Sequence, residues 1–393
     1  MLSWPENISQ QDFLGRYWQR RPLVMPGAVT GIAALTPDEL AGLACEDDVE
    51  SRIVLEKDGQ YPWEVRHGPF AEDDFGQLPQ SHWTLLVQDV DKHLPEVGRL
   101  LEDFQFLPRW RIDDIMVSYA AHGGSVGPHT DSYDVFLIQT LGTRRWRIQS
   151  QGVGEEDFVE GADLRILKDF TADHEWLLKP GDVLYLPPHL AHWGVAEGDC
   201  MTWSVGFRAP TAHELAAAWI EGRLEACADR EYRDPDLAVP EHPARLSDAA
   251  VARCRAMVAE LADPHDEAFD AWLCRHLSEP KPHLVPLVDA PEESTPATPR
   301  KQQPSPEKIQ VLVPRAASRF LYRETGTAVI FAVDGQVHRL ALPLLPLVRL
   351  ICDGRAIRKN ALASWEQNEQ AVRLLEDLLA AGHLEADPGY PMG

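Results

Sequence analysis

The chain has 393 residues, 44% of them hydrophobic, with 62 Asp and Glu against 37 Lys and Arg and a formal net charge of −25. That length suggests two or three units of ~150 residues each, and the acidity disfavours a long nucleic-acid footprint while steering a basic partner inward. No basic start leads into an apolar block, no apolar run reaches the ~20 residues of a membrane span, and the six scattered cysteines form no CxxC pair, so the expectation is a reduced, cytoplasmic protein without a zinc ribbon or disulfide scaffold.

Near the start, SQQDFLGRYWQRRP predicts a capped amphipathic helix halted by Pro22, with Phe13, Leu14, Tyr17 and Trp18 on one face. The rest of residues 1–110 mixes helical and short strand patterns. From about 112 to 208 the texture changes to short runs rich in Val, Ile, Tyr, Phe and Trp: IMVSYAA, DVFLIQTL, RRWRIQ, DVLYLPP and MTWSVGFR. Gly, Pro and Asp turns separate them, which predicts an antiparallel barrel or sandwich. At APTAHELAAAWIEGRLEAC the period becomes helical, and Thr211 with Glu214 forms a capping-box spacing that starts a helix near 212. LSDAAVARCRAMVAELA and HDEAFDAWLCRHL continue an all-helical unit over 209–280. Residues 281–307, dense in Pro, Ser and Thr, read as an exposed linker. From 308 onward, the strand-like TAVIFAV, a turn at Asp334–Gly335, VHRLAL and two helical stretches are compatible with a winged-helix-like domain.

The stretch GPHTDSYDVFLIQTLGTRRWRI places His129 and Asp131 one residue apart, so on a strand both would point to one face and could meet one ion. Alone the pair carries little weight, because 15 histidines give on the order of one H-x-D by chance. PGDVLYLPPHLAHWG adds a turn, a buried strand, a proline bend and then His192 entering a further strand, which would return an imidazole over the same barrel mouth. His189 in the bend competes for this role. The strand text after His192 favours His192 as the ligand and leaves His189 as a lining residue, while His122 reads as a loop histidine. Two imidazoles and a carboxylate match the facial triad of non-haem Fe(II) oxygenases, with three positions left for a bidentate co-substrate and dioxygen. Arg144, after a Gly142–Thr143 turn, begins the next strand and could clamp the far carboxylate of a dicarboxylate. Arg145 would then point outward, and spacing alone leaves the choice between the two arginines open.

GPHTDSYDVFLIQ, PGDVLYLPPHLAHWG and SVGFRAPT, in that order, resemble the JmjC-type ribosomal oxygenases of bacteria, cupin-like arginine hydroxylases acting on protein sixteen of the large ribosomal subunit. The resemblance extends over nearly the whole chain, from FLGRYWQRRPLVMPGA to the C-terminal part. It implies an α+β chain: a double-stranded β-helix (the cupin/JmjC jelly roll) over 1–208, a helical dimerisation region over 209–280, and a winged-helix-like domain over 308–393 after the linker. The implied activity is 3-hydroxylation of an arginine with Fe(II), 2-oxoglutarate and dioxygen. The implied iron ligands are His129, Asp131 and His192, and Arg144 becomes the residue gripping the 2-oxoglutarate tail. Ser118 matches a position that hydrogen-bonds the co-substrate. Thr202 stands where the family would carry an asparagine, facing inward by strand parity. The implied partners are a basic ribosomal protein as substrate and a second copy of the chain.

Asp134 and Tyr133 lie in the segment that could hold a substrate guanidinium. Two other functions remain conceivable: a cupin-type metal-dependent isomerase or metal-binding protein, and a DNA-binding regulator using the winged helix. The full-length resemblance and Arg144 oppose the first. Glu366, Glu369, Glu376 and Asp377 against Arg373 alone in NEQAVRLLEDLLAAG oppose the second.

Overall fold

The computed structural model describes residues 2–56, 63–160, 164–239, 242, 244–264, 267–285, 311–353 and 356–386. By its internal contacts the chain forms two units, one of residues 1–209, 280–319 and 353–393, the other of 210–279 and 320–352.

Among the described residues, eleven strands build the N-terminal part of the first unit. They are β1 (Leu23–Met25), β2 (Ser51–Glu56), β3 (Trp63–His67), β4 (Trp83–Val87), β5 (Ile112–Ala120), β6 (Asp134–Leu141), β7 (Arg144–Gln149), β8 (His174–Leu178), β9 (Val183–Leu186), β10 (Ala191–Ala196) and β11 (Cys200–Phe207). The larger sheet runs β1-β9-β6-β11-β5-β4-β2-β3 and the smaller one β10-β7-β8, with every pairing antiparallel. All five runs read as strands from sequence are strands. The additions β2, β3 and β4 extend the large sheet beyond the jelly roll.

Strand parity decides what faces where. On β11, Met201, Trp203, Val205 and Phe207 enter the outer core with Phe136 and Ile138 of β6. The alternate residues Val135 and Leu137 turn inward to meet Trp146, Ile148 and Leu178 of the small sheet. Because both faces of β6 and β11 are covered, each reads as an almost unbroken apolar run. The first helix seals the outer core. It spans Gln10–Arg16, with a capping box between Ser9 and Asp12 and with Phe13 fully buried. It ends well before Pro22. Beyond it, Gln19 takes a left-handed φ of 56° and gives its N–H to the Tyr185 hydroxyl, so the chain has left the helical path before it reaches Pro22.

In the second unit, Thr211 caps the helix Ala212–Ala226 through the expected box with Glu214, and Asp248–Ala262 and Glu267–Ser278 are helices as read. The hairpin strands β13 (Phe320–Glu324), β14 (Val329–Val333) and β15 (Gln336–Leu340) form a sheet against the last of these helices through Cys274, Ile330 and Ala332. Asp334 and Gly335, at φ 46° and 80°, make the tight turn between β14 and β15. Back in the first unit, β12 (Val311–Pro314) pairs with β16 (Ile357–Arg358) and β17 (Leu384–Ala386), alongside the helix Glu369–Ala380.

The beginning of the stretch expected as an exposed linker is tied down instead. Pro282–Leu284 forms a helical turn, Leu284 is fully buried, and Lys281 sits among carboxylates. Most of the remaining linker lies outside the described residues.

Candidate active site

His129 and Asp131 were expected on a strand, but they belong to the loop that precedes β6. A single antiparallel bridge joins His129 to His192 of β10. The two residues exchange both backbone hydrogen bonds, at 3.0 and 2.9 Å, so their side chains rise from the same side of the bridge. The imidazole centroids are 4.2 Å apart. Asp131 Oδ1 lies 3.9 Å from His129 Nε2 and Oδ2 3.5 Å from His192 Nε2, and the three donor groups lie within 4.8 Å of one another.

The protonation pattern suits a cation. Each ring's Nδ1 faces a backbone carbonyl at 2.9 Å, Gly127 for His129 and Leu190 for His192. A carbonyl only accepts, so Nδ1 carries a proton, and in the neutral ring each Nε2 turns a lone pair toward Asp131. Burial, reinforced by the neighbouring His129, lowers the His192 pKa to about 4, which keeps that lone pair free at neutral pH. Two neutral nitrogens and one carboxylate fit a divalent ion with open positions.

His189 does not line the cavity. It is exposed, at a left-handed φ of 63°, and its N–H donates to the Asp131 backbone carbonyl at 2.6 Å. Its part is to hold the loop that carries Asp131. His122 is an exposed loop residue.

Arg144 stands on β7 of the small sheet, across the barrel from β6. It is buried and makes long contacts only: Nη1 donates to Ser118 Oγ at 3.3 Å and Nη2 to the Gly194 carbonyl at 3.4 Å. Nε has no partner, and among the described residues no carboxylate lies within ion-pair distance of Arg144. Gly194 makes room for it, since a Cβ there would meet Trp146 at 2.7 Å and Arg144 Nε at 2.9 Å. A buried cation with an orphaned donor is costly unless an anion completes it. Arg145 points outward as expected, to Glu175 and Glu197.

Ser118 and Thr202 are direct neighbours across β5 and β11, both buried and both lining the same cavity of about 340 Å³ as the triad and Arg144. Thr202 Oγ1 donates to Gln139 Oε1 at 2.9 Å, a partner that sequence reading did not single out. Arg52 of β2, also missed, lines the cavity too.

Tyr133 lines the cavity, but Asp134 turns the other way. It is fully buried and accepts from Tyr185 Oη at 2.6 Å, Gln19 Nε2 at 3.0 Å and Arg111 Nη2 at 3.2 Å. Besides Asp131, the carboxylate that lines the cavity among the described residues is Asp114. It shares the inward parity of Ser118 on β5 and stands four residues before it, about 13 Å away at ~3.3 Å per residue. Running the alternation back from Ser118 along IDDIMVSYA would have found it.

The JmjC domain family matches residues 99–215, and the ROXA-like winged helix matches 259–385. The ribosomal protein uL16 3-hydroxylase of Escherichia coli is 40% identical over 285 residues, 72% of this chain and 73% of that protein. The chain belongs to the JmjC ribosomal oxygenases. A probable ribosomal oxygenase of Haemophilus influenzae is 39% identical over 68% of this chain and 67% of that one. The crystal structure of E. coli YcfD superposes with a TM-score of 0.81 at 31% identity, covering 98% of this chain and 99% of that one. YcfD in complex with cobalt and 2-oxoglutarate superposes at 0.77 and 32% identity, over 96% and 98% of the two chains. The ribosomal oxygenase winged-helix match starts at residue 259, so it takes in the helix Glu267–Ser278 that packs on β14. Among the described residues no helix is long and apolar enough to cross a membrane.

Proposed function

We propose that this chain is an Fe(II)- and 2-oxoglutarate-dependent dioxygenase that hydroxylates Cβ of an arginine in ribosomal protein uL16. One observation carries the reading: a single cavity joins two imidazole lone pairs and a carboxylate to a buried, anion-free arginine. His129 and His192 would hold the metal through Nε2 and Asp131 through its carboxylate, the other protein-free positions being left to co-substrate and dioxygen. When bound, the iron supplies, with 2-oxoglutarate and dioxygen, the oxidising power needed at an unactivated carbon.

The chain's own residues then bind, orient and exclude water. Arg144, with Ser118 beside it, receives the far carboxylate of 2-oxoglutarate and fixes the co-substrate's reach from the small sheet. Thr202, anchored on Gln139, fills the cavity floor next to Ser118. Trp146, Val135 and Leu137 supply a dry wall around these polar groups. At the opposite end Asp114 offers a carboxylate to a guanidinium and Tyr133 an apolar ring for its stem. A single buried carboxylate at that end suits a guanidinium better than a neutral imidazole, which supports arginine over histidine as the residue modified.

The same reading gives residues 1–208 to catalysis, 209–280 to pairing of two copies, 281–307 to the connection and 308–393 to the winged-helix-like part. Exposed Ile220, Leu224 and Val258 on the helices of the middle region support the pairing. Glu369, Glu376 and Asp377 against Arg373 on the helix Glu369–Ala380 give it no phosphate-binding face, so the partner is the basic ribosomal protein and not nucleic acid. Action on a ribosomal protein supports a cytoplasmic location.

The test incubates purified uL16 with the chain, Fe(II) and 2-oxoglutarate in air and maps the product by mass spectrometry. A gain of roughly 16 Da, one oxygen atom, on an arginine that depends on 2-oxoglutarate supports the reading. An unmodified uL16, or the oxygen on a histidine, overturns it.

A further inference from the structure

Asp114 is held from behind by a residue that the catalytic barrel does not supply. Its Oδ2 accepts the backbone N–H of Asp89 at 3.0 Å and lies 3.6 Å from Lys281 Nζ. Its Oδ1 is the oxygen left to the cavity, 3.5 Å from the point a Cβ on Gly206 would occupy, with Tyr133 Cε2 3.9 Å from that same point. Lys281 follows the helical region in sequence and does not line the cavity. It reaches both oxygens of Asp89 at 3.1 Å and Asp113 Oδ2 at 3.3 Å. The neighbouring carboxylates have partners of their own: Asp113 with Arg319, Asp91 with Lys92, and Asp89 with His283. For Asp114, Lys281 is the one cation at ion-pair distance among the described residues.

We propose that Lys281 is a positioning residue for the substrate guanidinium, acting through Asp114. This rests on the arginine reading above. Asp114 is buried beside Asp89 and Asp113. With no cation behind it, such a carboxylate relieves the crowding by taking a proton or by turning toward solvent. Either response removes the charge that a guanidinium needs. Lys281 places a positive charge 3.6 Å behind Oδ2, the oxygen that the Asp89 N–H holds at 3.0 Å, so the ionised carboxylate is favoured and Oδ1 stays aimed at the space beside Gly206. The lysine thus acts on substrate binding at one remove, from a stretch that sequence reading assigned to a linker.

The test measures the Kd of fluorescently labelled uL16 by anisotropy, and KM values for uL16 and 2-oxoglutarate from succinate release. Lys281→Met raises both the Kd and the KM for uL16 about tenfold, while the KM for 2-oxoglutarate changes by less than about twofold. Lys281→Arg, which keeps the charge, restores most of the binding. In an Asp114→Asn background Lys281→Met adds less than about twofold, because the residue through which it acts has already lost its charge. Should the single variant not fold, Lys281→Met combined with Asp89→Asn, which loses one charge of each sign, takes its place. A variant that binds uL16 as wild type does, equal weakening in both Asp114 backgrounds, or a parallel rise in the 2-oxoglutarate KM overturns the proposal alone. A wild-type chain that leaves uL16 arginine unmodified overturns the substrate reading and the proposal with it.

Discussion

The two ends of the cavity are built on opposite electrostatic terms. At one end Arg144 is a buried cation whose Nε is orphaned, so the folded chain is short of an anion there. At the other, burial and the neighbouring Asp89, Asp113 and Asp91 outweigh the pull of Lys281 on the Asp114 carboxylate, so a further cation on its cavity side is favourable there. Each end is destabilised alone and completed by a ligand of opposite sign, which is how a site spends folding stability on selectivity. The ends also differ in construction. The Arg144 end is assembled within β5, β7 and β10 of the barrel, whereas the Asp114 end depends on Lys281 from outside it.

The largest effect belongs to the triad that both ends serve. Asp131→Ala abolishes turnover of uL16 and 2-oxoglutarate alike, because two imidazoles alone no longer complete the metal site. Its melting temperature without metal stays within about 2 °C of wild type, since the side chain is part exposed and the loop is still held by its backbone carbonyl on His189. Near-normal turnover would remove Asp131 from the metal site.

Next come variants that separate the two ends. Arg144→Ala raises the KM for 2-oxoglutarate about 100-fold, as expected for losing one partner of a buried charge pair, and leaves the affinity for iron within a few-fold. Equal effects on both would make Arg144 a structural residue. At the other end the discriminating variable is pH. Burial first, then Asp89, Asp113 and Asp91, push the Asp114 pKa up to about 7 against the opposing pull of Lys281. Only the ionised form holds a guanidinium, so kcat/KM for uL16 rises as pH increases through about 7, while kcat, set in the complex where the guanidinium keeps Asp114 charged, stays flatter. The stability sign is opposite: a carboxylate with a raised folded pKa contributes stability below its unfolded value that is lost as pH rises through about 7. Asp114→Asn removes both effects, flattening the uL16 profile and raising thermal stability at pH 8 relative to wild type. A wild-type profile that persists in Asp114→Asn would assign the titration elsewhere.

The contrast also explains what the sequence made legible. Metal ligation admits few residue types, so the proposed ligands His129, Asp131 and His192 could be read once the strand text after His192 and the family resemblance were added to a weak H-x-D pair, and the turn before Arg144 marks a strand start. Which of Arg144 and Arg145 faces inward is settled by β7 pairing with β10, where Arg144 lies opposite Ala196 and Gly194 opens the space beside it. Asp134 was the tempting carboxylate because it adjoins the motif. Its parity with Phe136 and Ile138 sends it to the outer core, and that parity is written in DVFLIQTL itself. Asp114 follows from the same rule applied to β5. Lys281 does not, because a Pro-rich stretch carries no periodicity from which a tertiary ion pair can be read.

The finest probe of the Asp114 end is a single methyl group. Gly206 is inward on β11, in the stretch where the register with β5 shifts between Val205 and Phe207. A Cβ there would sit 3.5 Å from Asp114 Oδ1 and 3.9 Å from Tyr133, both ordinary contact distances, so Gly206→Ala folds without forcing its neighbours apart. The methyl does, however, occupy the space in front of the one Asp114 oxygen that faces the cavity. The KM for uL16 therefore rises about tenfold, the cost of an overpacked contact in the bound state, while the 2-oxoglutarate KM and the melting temperature stay near wild type. A Gly206→Ala enzyme with an unchanged KM for uL16 would mean that the guanidinium does not approach Asp114 from the β11 side, and would move the substrate's path to the face lined by Arg52 and β4.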